Sequence, residues 1–268
     1  MKLAYPFGTR ETVAPLLGYR GDEEEVFLVL KDLGYSAIEP LIRNPRLIDS
    51  SQFERIVIRT GIDIAPIGTG PVVSDDKLTF TDENKDIRTE AVNRTKDIIE
   101  FASLFGSQIS VGKLRGNINK SNCEQSWKWM CESIEQICEH AEKYKVNVTL
   151  EPQNINVINN LNSTREALNF IRKLNLPNLT LMLDVYHMNF EDSSITESLL
   201  EAKDYISHVH FADSNRRAPG NGELDFYKII RTLRAINYSN YISLEISQEM
   251  SSYDEAKSSI EYLKKLGL

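Results

Sequence analysis

Acidic and imidazole side chains stand at the C-terminal ends of several short apolar runs in this chain of 268 residues. Four of them are of types that bind divalent cations: Glu151 in VNVTLEP, Asp184 in LTLMLDV, His210 in ISHVHFAD and Glu245 in YISLEIS. A charged group that closes a buried strand is costly unless something pairs with it. Three carboxylates and one imidazole converging on one point would form a ligand set for a hard or borderline divalent cation. The pattern therefore predicts a metal-dependent enzyme.

The elements that must position these groups alternate regularly along the chain. Short β-branched runs predict strands over residues 2–7, 36–40, 62–67, 107–112, 146–151, 179–184, 206–211 and 241–246. Amphipathic stretches predict helices near residues 22–33, 51–60, 86–105, 123–144, 163–174, 193–203, 224–236 and 253–266. Eight strand–helix units without a linker predict an α/β fold, a single (β/α)8 TIM barrel that spans residues 1–268 as one domain. The rival, an open doubly wound sheet, usually has a Gly-rich phosphate turn after its first strand, and YPFGTRET is not one.

Side-chain alternation places the four residues on a common face of the last four strands. Successive strand residues point to opposite faces, so Met182 shares a face with Asp184, and His208 shares one with His210. Barrel active sites lie at the C-terminal ends of the strands, so Asp184 and His210 should belong to the top layer of the interior. His208 falls one layer lower, and we expect it to be a buried, hydrogen-bonded core residue rather than a ligand.

Composition excludes several other classes of protein. The formal net charge of −8 argues against a nucleic-acid partner, which would favour a basic surface. No apolar run approaches ~20 residues, so no membrane span is predicted. The three cysteines are odd in number and lack CxxC-type spacing, which indicates unpaired residues in a reducing compartment. The MKLAYPFG start reads as a first strand rather than a signal peptide, so a cytoplasmic location is expected.

Four segments together carry a resemblance to a known family: LEPQN, LMLDVYHMN, HVHFADSNRRAPGNGELDF and LEIS. They resemble the xylose isomerase-like TIM barrel superfamily of sugar phosphate isomerases and epimerases, and most closely its ketose 3-epimerase branch. The resemblance implies that Glu151, Asp184, His210 and Glu245 bind one divalent metal ion. Mn²⁺ or Mg²⁺ is expected, with Co²⁺ or Zn²⁺ as alternatives. The implied function is a sugar or sugar phosphate isomerase or epimerase that moves a proton next to a ketose carbonyl through an enediolate.

The resemblance also implies roles for individual residues around the metal. Glu151 and Glu245 would be the two catalytic bases, acting on opposite faces of the substrate carbon. His187, three residues after Asp184, would bind a substrate oxygen, and Arg216 would contact substrate hydroxyls. Two further roles are suggested by position alone, at the mouth of the barrel and near the ligands. Glu39, at the end of the second strand, could contact substrate or an arginine, and Asp213 could orient His210 or its neighbours.

Two features leave the substrate open. Ketose 3-epimerases commonly continue the motif as EPxNRxE, whereas here Ile155 and Val157 stand at the two charged positions. This departure argues against free tagatose or psicose and for a smaller substrate or one with a less polar distal end. The Gly-rich loop 219–222 follows the seventh strand, where barrels often bind phosphate, but it could equally be a simple chain reversal.

Other activities of the same barrel are alternatives. A keto-inositol dehydratase-type lyase would use a similar single-metal site, and a catalytically silent sugar-binding barrel would not need both glutamates. An apurinic endonuclease holds three zinc ions, and the four histidines of this chain are too few and too late in the sequence to bind them. Members of the family are often dimers or tetramers, so a homo-oligomer is an alternative to a monomer.

Overall fold

The computed structural model describes residues 1–268 and contains nine strands and ten α-helices. The strands are β1 (Lys2–Gly8), β2 (Ala37–Leu41), β3 (Asp63–Ile64), β4 (Ile67–Gly68), β5 (Ile109–Val111), β6 (Val148–Leu150), β7 (Leu179–Asp184), β8 (Ile206–His210) and β9 (Tyr241–Ser243). The helices are α1 (Glu23–Leu33), α2 (Ser50–Thr60), α3 (Gly70–Asp76), α4 (Lys85–Ser103), α5 (Cys123–Lys143), α6 (Thr164–Leu174), α7 (Val185–Glu191), α8 (Ile195–Ala202), α9 (Phe226–Ala235) and α10 (Ser252–Lys265).

The strands form a closed parallel barrel. β1 pairs with β2 on one side and with β9 on the other, and the remaining strands follow in chain order. β3 and β4 occupy a single barrel position, because Pro66 lies between them and has no N–H to donate. Ala65 still donates to the Ile38 carbonyl (2.7 Å), so this position stays attached to β2. The predicted eight-position (β/α)8 barrel is therefore confirmed, and the open sheet is excluded.

Helix bounds agree with the predicted ones within two residues for all eight predicted helices. The start of α6 shows why: Ser163 and Glu166 form a reciprocal capping box that marks the first turn. The short helices α3 and α7, of seven residues each, were not predicted. Neither is long enough to show an amphipathic period, and α7 carries one of the predicted site residues, His187.

The two faces of the barrel wall differ in side-chain size. Sixty-two buried apolar residues form one cluster that includes the outward-facing Tyr5 and Phe7 of β1 and the buried faces of the helices. Inside the barrel, three alanines form a separate small cluster: Ala4, Ala37 and Ala65. Small residues near the N-terminal ends of the strands close the barrel, and polar residues fill its opposite end. No helix has the length and apolar character that crossing a membrane requires.

Candidate metal centre and active site

The four predicted ligands converge at the C-terminal ends of the last four barrel strands. Asp184 and His210 end β7 and β8 and are register partners. Glu151 follows β6 directly, and Glu245 lies two residues beyond β9. One ligand atom from each of the four residues lies within 4.8 Å of the others. Three of these side chains are buried, and Glu245 is 22% exposed, so the group is reached from the barrel mouth through Glu245.

Glu151 is held on one side only. Its Oε2 accepts a hydrogen bond from Gln153 Nε2 (2.8 Å), whereas its buried Oε1 has no partner. Gly112, after β5, makes room for this carboxylate, because a Cβ there would lie 2.5 Å from Oε2. Burial, followed by repulsion from Asp184, raises the pKa of Glu151 to about 7 against the attraction of His210. The free oxygen therefore belongs to a carboxyl group that titrates near neutral pH in the absence of a metal.

His210 is oriented from below by Glu39. His210 Nε2 donates to the Glu39 carboxylate (2.9 Å to Oε2), and His208 Nε2 lies 3.0 Å from the same oxygen. The other ring nitrogen of His210, Nδ1, is buried and has no hydrogen-bond partner. A histidine that donates one N–H to a carboxylate presents the other nitrogen as a ligand. Despite its burial, the carboxylates of Glu39, Glu151 and Asp184 raise the pKa of His210 to about 9.

Glu39 also lines the cleft that opens at the barrel mouth, and its expected contact with substrate stays a prediction. It is 1% exposed, and both of its oxygens are engaged by imidazoles. These imidazoles hold the pKa of Glu39 well below its usual range, although burial opposes them. Glu39, His208 and His210 also lie close enough to share an ion, but their polar atoms already bond to one another. His208 is fully buried, as expected of a core residue.

Arg216 closes the open side of the site. Its guanidinium pairs with both Asp184 and Glu245 and lies over the ring of Tyr186, 4.6 Å from the centroid. Arg216 is a non-glycine residue with a φ of 64°, a conformation that persists only where its surroundings impose it. Although burial acts in the other direction, Arg216 and then His187 and His210 lower the pKa of Asp184. The predicted substrate-binding arginine thus lies among the candidate ligands, while Arg217 pairs with exposed Glu249.

Asp213 organises the loop that carries Arg216 and does not contact His210. Its carboxylate accepts from the backbone N–H groups of Ser214, Gly220 and Leu224 at 2.8–3.0 Å. The residue that orients His210 is therefore Glu39, on the opposite side of the barrel, and not Asp213. Strand order alone does not reveal this contact. Loop 219–222 is also less suited to bind phosphate, because the Gly220 N–H already donates to the Asp213 carboxylate.

His187 lies on α7, with its ring edge toward the ligand group. Its Nε2 is 3.9 Å from both Glu151 Oε1 and Asp184 Oδ2, and its Nδ1 contacts Asn154 Nδ2 (2.9 Å). Burial lowers the pKa of His187 to about 4, so the ring is neutral near pH 7. The structure thus brings the expected substrate-binding histidine to the edge of the candidate metal centre.

A cleft of about 140 Å³ leads from the barrel mouth to Glu151, His210 and Glu245. Its lining is mixed, with apolar residues that include the loop after β1 at residues 14–17 and polar residues that include Ser110, Lys113 and Gln153. A cleft with both apolar and polar lining suits a small polyol whose C–H faces and hydroxyl groups point in different directions.

Two supporting residues were missed by sequence reasoning. Arg115 is fully buried, and its guanidinium donates to the main-chain carbonyls of Glu151 (2.7 Å) and Asn160 (3.1 Å) and to the Asn160 side chain (3.0 Å). Burial lowers the pKa of Arg115 to about 10. Gln153, which holds Glu151, is the second. No local pattern identifies Arg115 as a support of the site, since Glu151 and Asn160 lie 36 and 45 residues away. Gln153 stands beside a predicted ligand in LEPQN, where a polar residue is a detectable signal.

The closed barrel thus carries at its mouth a convergent Glu–Asp–His–Glu group that could hold a metal ion. The chain matches the family model described as a xylose isomerase-like TIM barrel over residues 27–266, and it belongs to that family. It is similar to an L-ribulose 3-epimerase of Methylomonas sp. (strain DH-1), with 30% identity over 162 residues, 58% of this chain and 54% of the relative. It is also similar to a 3-dehydro-D-guloside 4-epimerase of Escherichia coli (strain K12), with 33% identity over 118 residues, 44% of this chain and 45% of the relative.

These alignments span about half the length of the two curated relatives, both of which are epimerases and thus of the isomerase class. Among solved structures, D-psicose 3-epimerase with D-tagatose from Clostridium cellulolyticum H10 has a TM-score of 0.82 and 21% identity, with 99% of each chain covered. At that level of identity, the structural likeness supports the fold alone.

Proposed function

We propose that residues 1–268 act as one catalytic domain, a divalent-metal-dependent epimerase that inverts a carbon next to the ketone of a small sugar. One observation carries the proposal: Glu151 and Glu245 stand at the two ends of the β6–β9 arc, with Asp184 and His210 between them. Inversion requires one base that removes a proton on one face and another acid that returns it on the opposite face. Two glutamates that flank a shared site meet this requirement.

The names of the relatives support the same chemistry. A ketose 3-epimerase inverts the carbon beside a C2 ketone, and a 3-dehydro-guloside 4-epimerase inverts the carbon beside a C3 ketone. Both reactions depend on the acidity of a C–H next to a carbonyl. We therefore infer that this chain recognises the ketone and its neighbouring carbon, and that the rest of the sugar differs between family members.

The donor set fits a divalent ion. Glu151 Oε1 and His210 Nδ1 are buried without a hydrogen-bond partner, and Glu151 and His210 each contribute one atom to the group that lies within 4.8 Å. Three carboxylates and one imidazole suit Mn²⁺ or Mg²⁺, and Co²⁺ or Zn²⁺ would also accept them. A bound ion would supply a Lewis acid that increases the acidity of the C–H beside the carbonyl. Glu151, Asp184, His210 and Glu245 would hold it.

The remaining site residues would bind and orient the sugar. His187 Nε2 reaches the edge of the ligand group from α7, where it can donate to a substrate oxygen. Arg216 has five N–H donors at the open side of the site and can exchange its carboxylate partners for sugar hydroxyls. Because the Gly220 amide of loop 219–222 already binds Asp213, we favour an unphosphorylated sugar. The cytoplasmic location and a homo-oligomeric assembly stay predictions.

Proton NMR in D₂O tests the proposal. The protein, loaded with Mn²⁺ or Mg²⁺, is incubated with ketopentoses, ketohexoses, their phosphates, 3-keto-glycosides and keto-inositols, and the metal is removed before recording. We expect metal-dependent loss of the C–H signal beside one carbonyl, together with signals of a new epimer. Loss of water would indicate the lyase instead. No exchange with any compound would contradict the proposed activity.

A further inference from the structure

Asn154 makes a contact that determines which proton His187 carries. The side chain of Asn154 is buried, and its Nδ2 lies 2.9 Å from His187 Nδ1. An amide nitrogen is only a donor, and a ring nitrogen accepts only when it has no proton. The contact is thus a hydrogen bond only if Nδ1 is unprotonated, which leaves the single proton of the neutral ring on Nε2.

The orientation of the Asn154 amide is itself determined by the backbone. Its Oδ1 accepts a hydrogen bond from the Asn156 N–H (3.1 Å). A flipped amide would place its NH₂ group against that N–H and lose this bond, so the amide oxygen cannot turn toward His187 without a second mismatch. One residue away, the Ile155 N–H donates to Glu191 at the end of α7 (2.7 Å). This bond ties the loop of Asn154 to the helix that carries His187.

We propose that Asn154 is a positioning residue that keeps His187 as the Nε2–H tautomer and thereby makes His187 an obligatory hydrogen-bond donor to the substrate. His187 Nε2, 3.9 Å from Glu151 and Asp184, then has no lone pair for a metal ion. The ligand set is therefore the four residues of the β6–β9 arc without His187. The tautomer of His187 does not depend on the proposed function. Only the identity of the group that accepts from Nε2–H, a substrate oxygen, rests on the proposed function.

Nitrogen-15 NMR of the full chain with labelled histidine reads the tautomer directly. The chain has four histidines, so the loss of one signal pair in His187→Gln assigns His187. Near neutral pH and without metal or substrate, we expect a lone-pair shift at Nδ1 and an N–H shift at Nε2. On addition of ¹¹³Cd²⁺, His210 should show coupling to the metal, and His187 should keep its Nε2 proton. A protonated Nδ1, or coupling of His187 to cadmium, would overturn the proposal.

The variant Asn154→Asp tests the cause, because a carboxylate accepts and cannot donate. We expect the His187 proton to move to Nδ1, or both ring nitrogens to be protonated, and kcat/KM to fall roughly 10²-fold with metal content unchanged. Asn162→Asp is the matched control, since Asn162 donates to the Gln153 and Ile158 carbonyls of the same loop (2.6 Å each) without touching His187. It should leave the tautomer unaltered.

The two experiments separate this inference from the proposed function. If Asn154→Asp folds and His187 keeps its proton on Nε2, Asn154 does not set the tautomer. If Asn154→Asp does not fold, the wild-type spectrum and the cadmium titration still decide which ring nitrogen of His187 carries the proton and whether His187 binds the metal. If no sugar is epimerised but the Nε2–H tautomer is found, the proposed function fails and the positioning role of Asn154 stands.

Discussion

The two halves of the barrel mouth have different tasks. The β6–β9 half supplies the candidate ligands Glu151, Asp184, His210 and Glu245, and α7 and the loop after β8 add His187 and Arg216. The β1–β5 half supplies supporting residues: Glu39 orients His210, Gly112 makes room for Glu151, and Arg115 holds the Glu151 carbonyl. The comparison teaches that the candidate ligands owe their positions to residues that do not themselves join the ligand group.

The largest effect is expected from Glu245→Gln, on the ligating half. This change removes a proposed base and one ligand charge while it preserves side-chain shape. We expect turnover to fall roughly 10³-fold or more, with the fold intact. Steady-state rates and circular dichroism check this prediction. Epimerisation at the wild-type rate would show that Glu245 is not a base.

Asp184→Ala should weaken metal binding more directly than it weakens sugar binding. Asp184 is fully buried and central in the arc, so its loss removes a ligand that water cannot readily replace. We expect metal affinity to fall by more than the roughly 10–100-fold typical of losing an outer-shell partner. Metal analysis after dialysis measures the effect. Full retention of one ion per chain would contradict the ligand set.

His187→Ala should separate substrate binding from metal binding. The change removes an N–H donor at the edge of the site and no ligand, so kcat/KM should fall about 10²-fold while metal content is retained. Parallel kinetics and metal analysis test this expectation. Loss of metal with little change in kcat/KM would place His187 among the ligands.

Glu39→Gln is the test for the supporting half. A neutral amide can still accept from one imidazole, but it no longer stabilises the proton on His210 Nε2. We expect metal affinity to fall roughly 10–100-fold, less than in Asp184→Ala. Calorimetric titration with Mn²⁺ measures the difference. An effect as large as that of Asp184→Ala would make Glu39 a ligand and remove the distinction between the two halves.

The sequence predicted the ligating half better than the supporting half, for a physical reason. Asp184 and His210 end short apolar runs, and strand parity together with barrel closure brings such residues to one place. The apolar residues of 62–67 predict one continuous third strand, but Pro66 has no N–H to donate and divides it into β3 and β4. The helix α7 is not predicted from the sequence, because its seven residues make fewer than two helical turns and show no amphipathic period.

The contacts of the supporting half could not be predicted from strand parity in the same way. Glu39 meets His210 across the barrel interior, 171 residues away, and Arg115 reaches Asn160 across 45 residues. Such pairs depend on the tilt of the strands and the stagger between them, neither of which appears in a one-dimensional pattern. Asp213 is predicted to orient His210 or its neighbours, and its carboxylate accepts from the N–H groups of its own loop instead.

The central claim is that proton transfer depends on one divalent ion held by Glu151, Asp184, His210 and Glu245. The measurement that tests it most directly is the rate of C–H to C–D exchange in D₂O as a function of bound Mn²⁺ in chelator-treated protein. We expect a rate that rises with metal occupancy and reaches its maximum at one ion per chain. Undiminished exchange in the metal-free protein would contradict it.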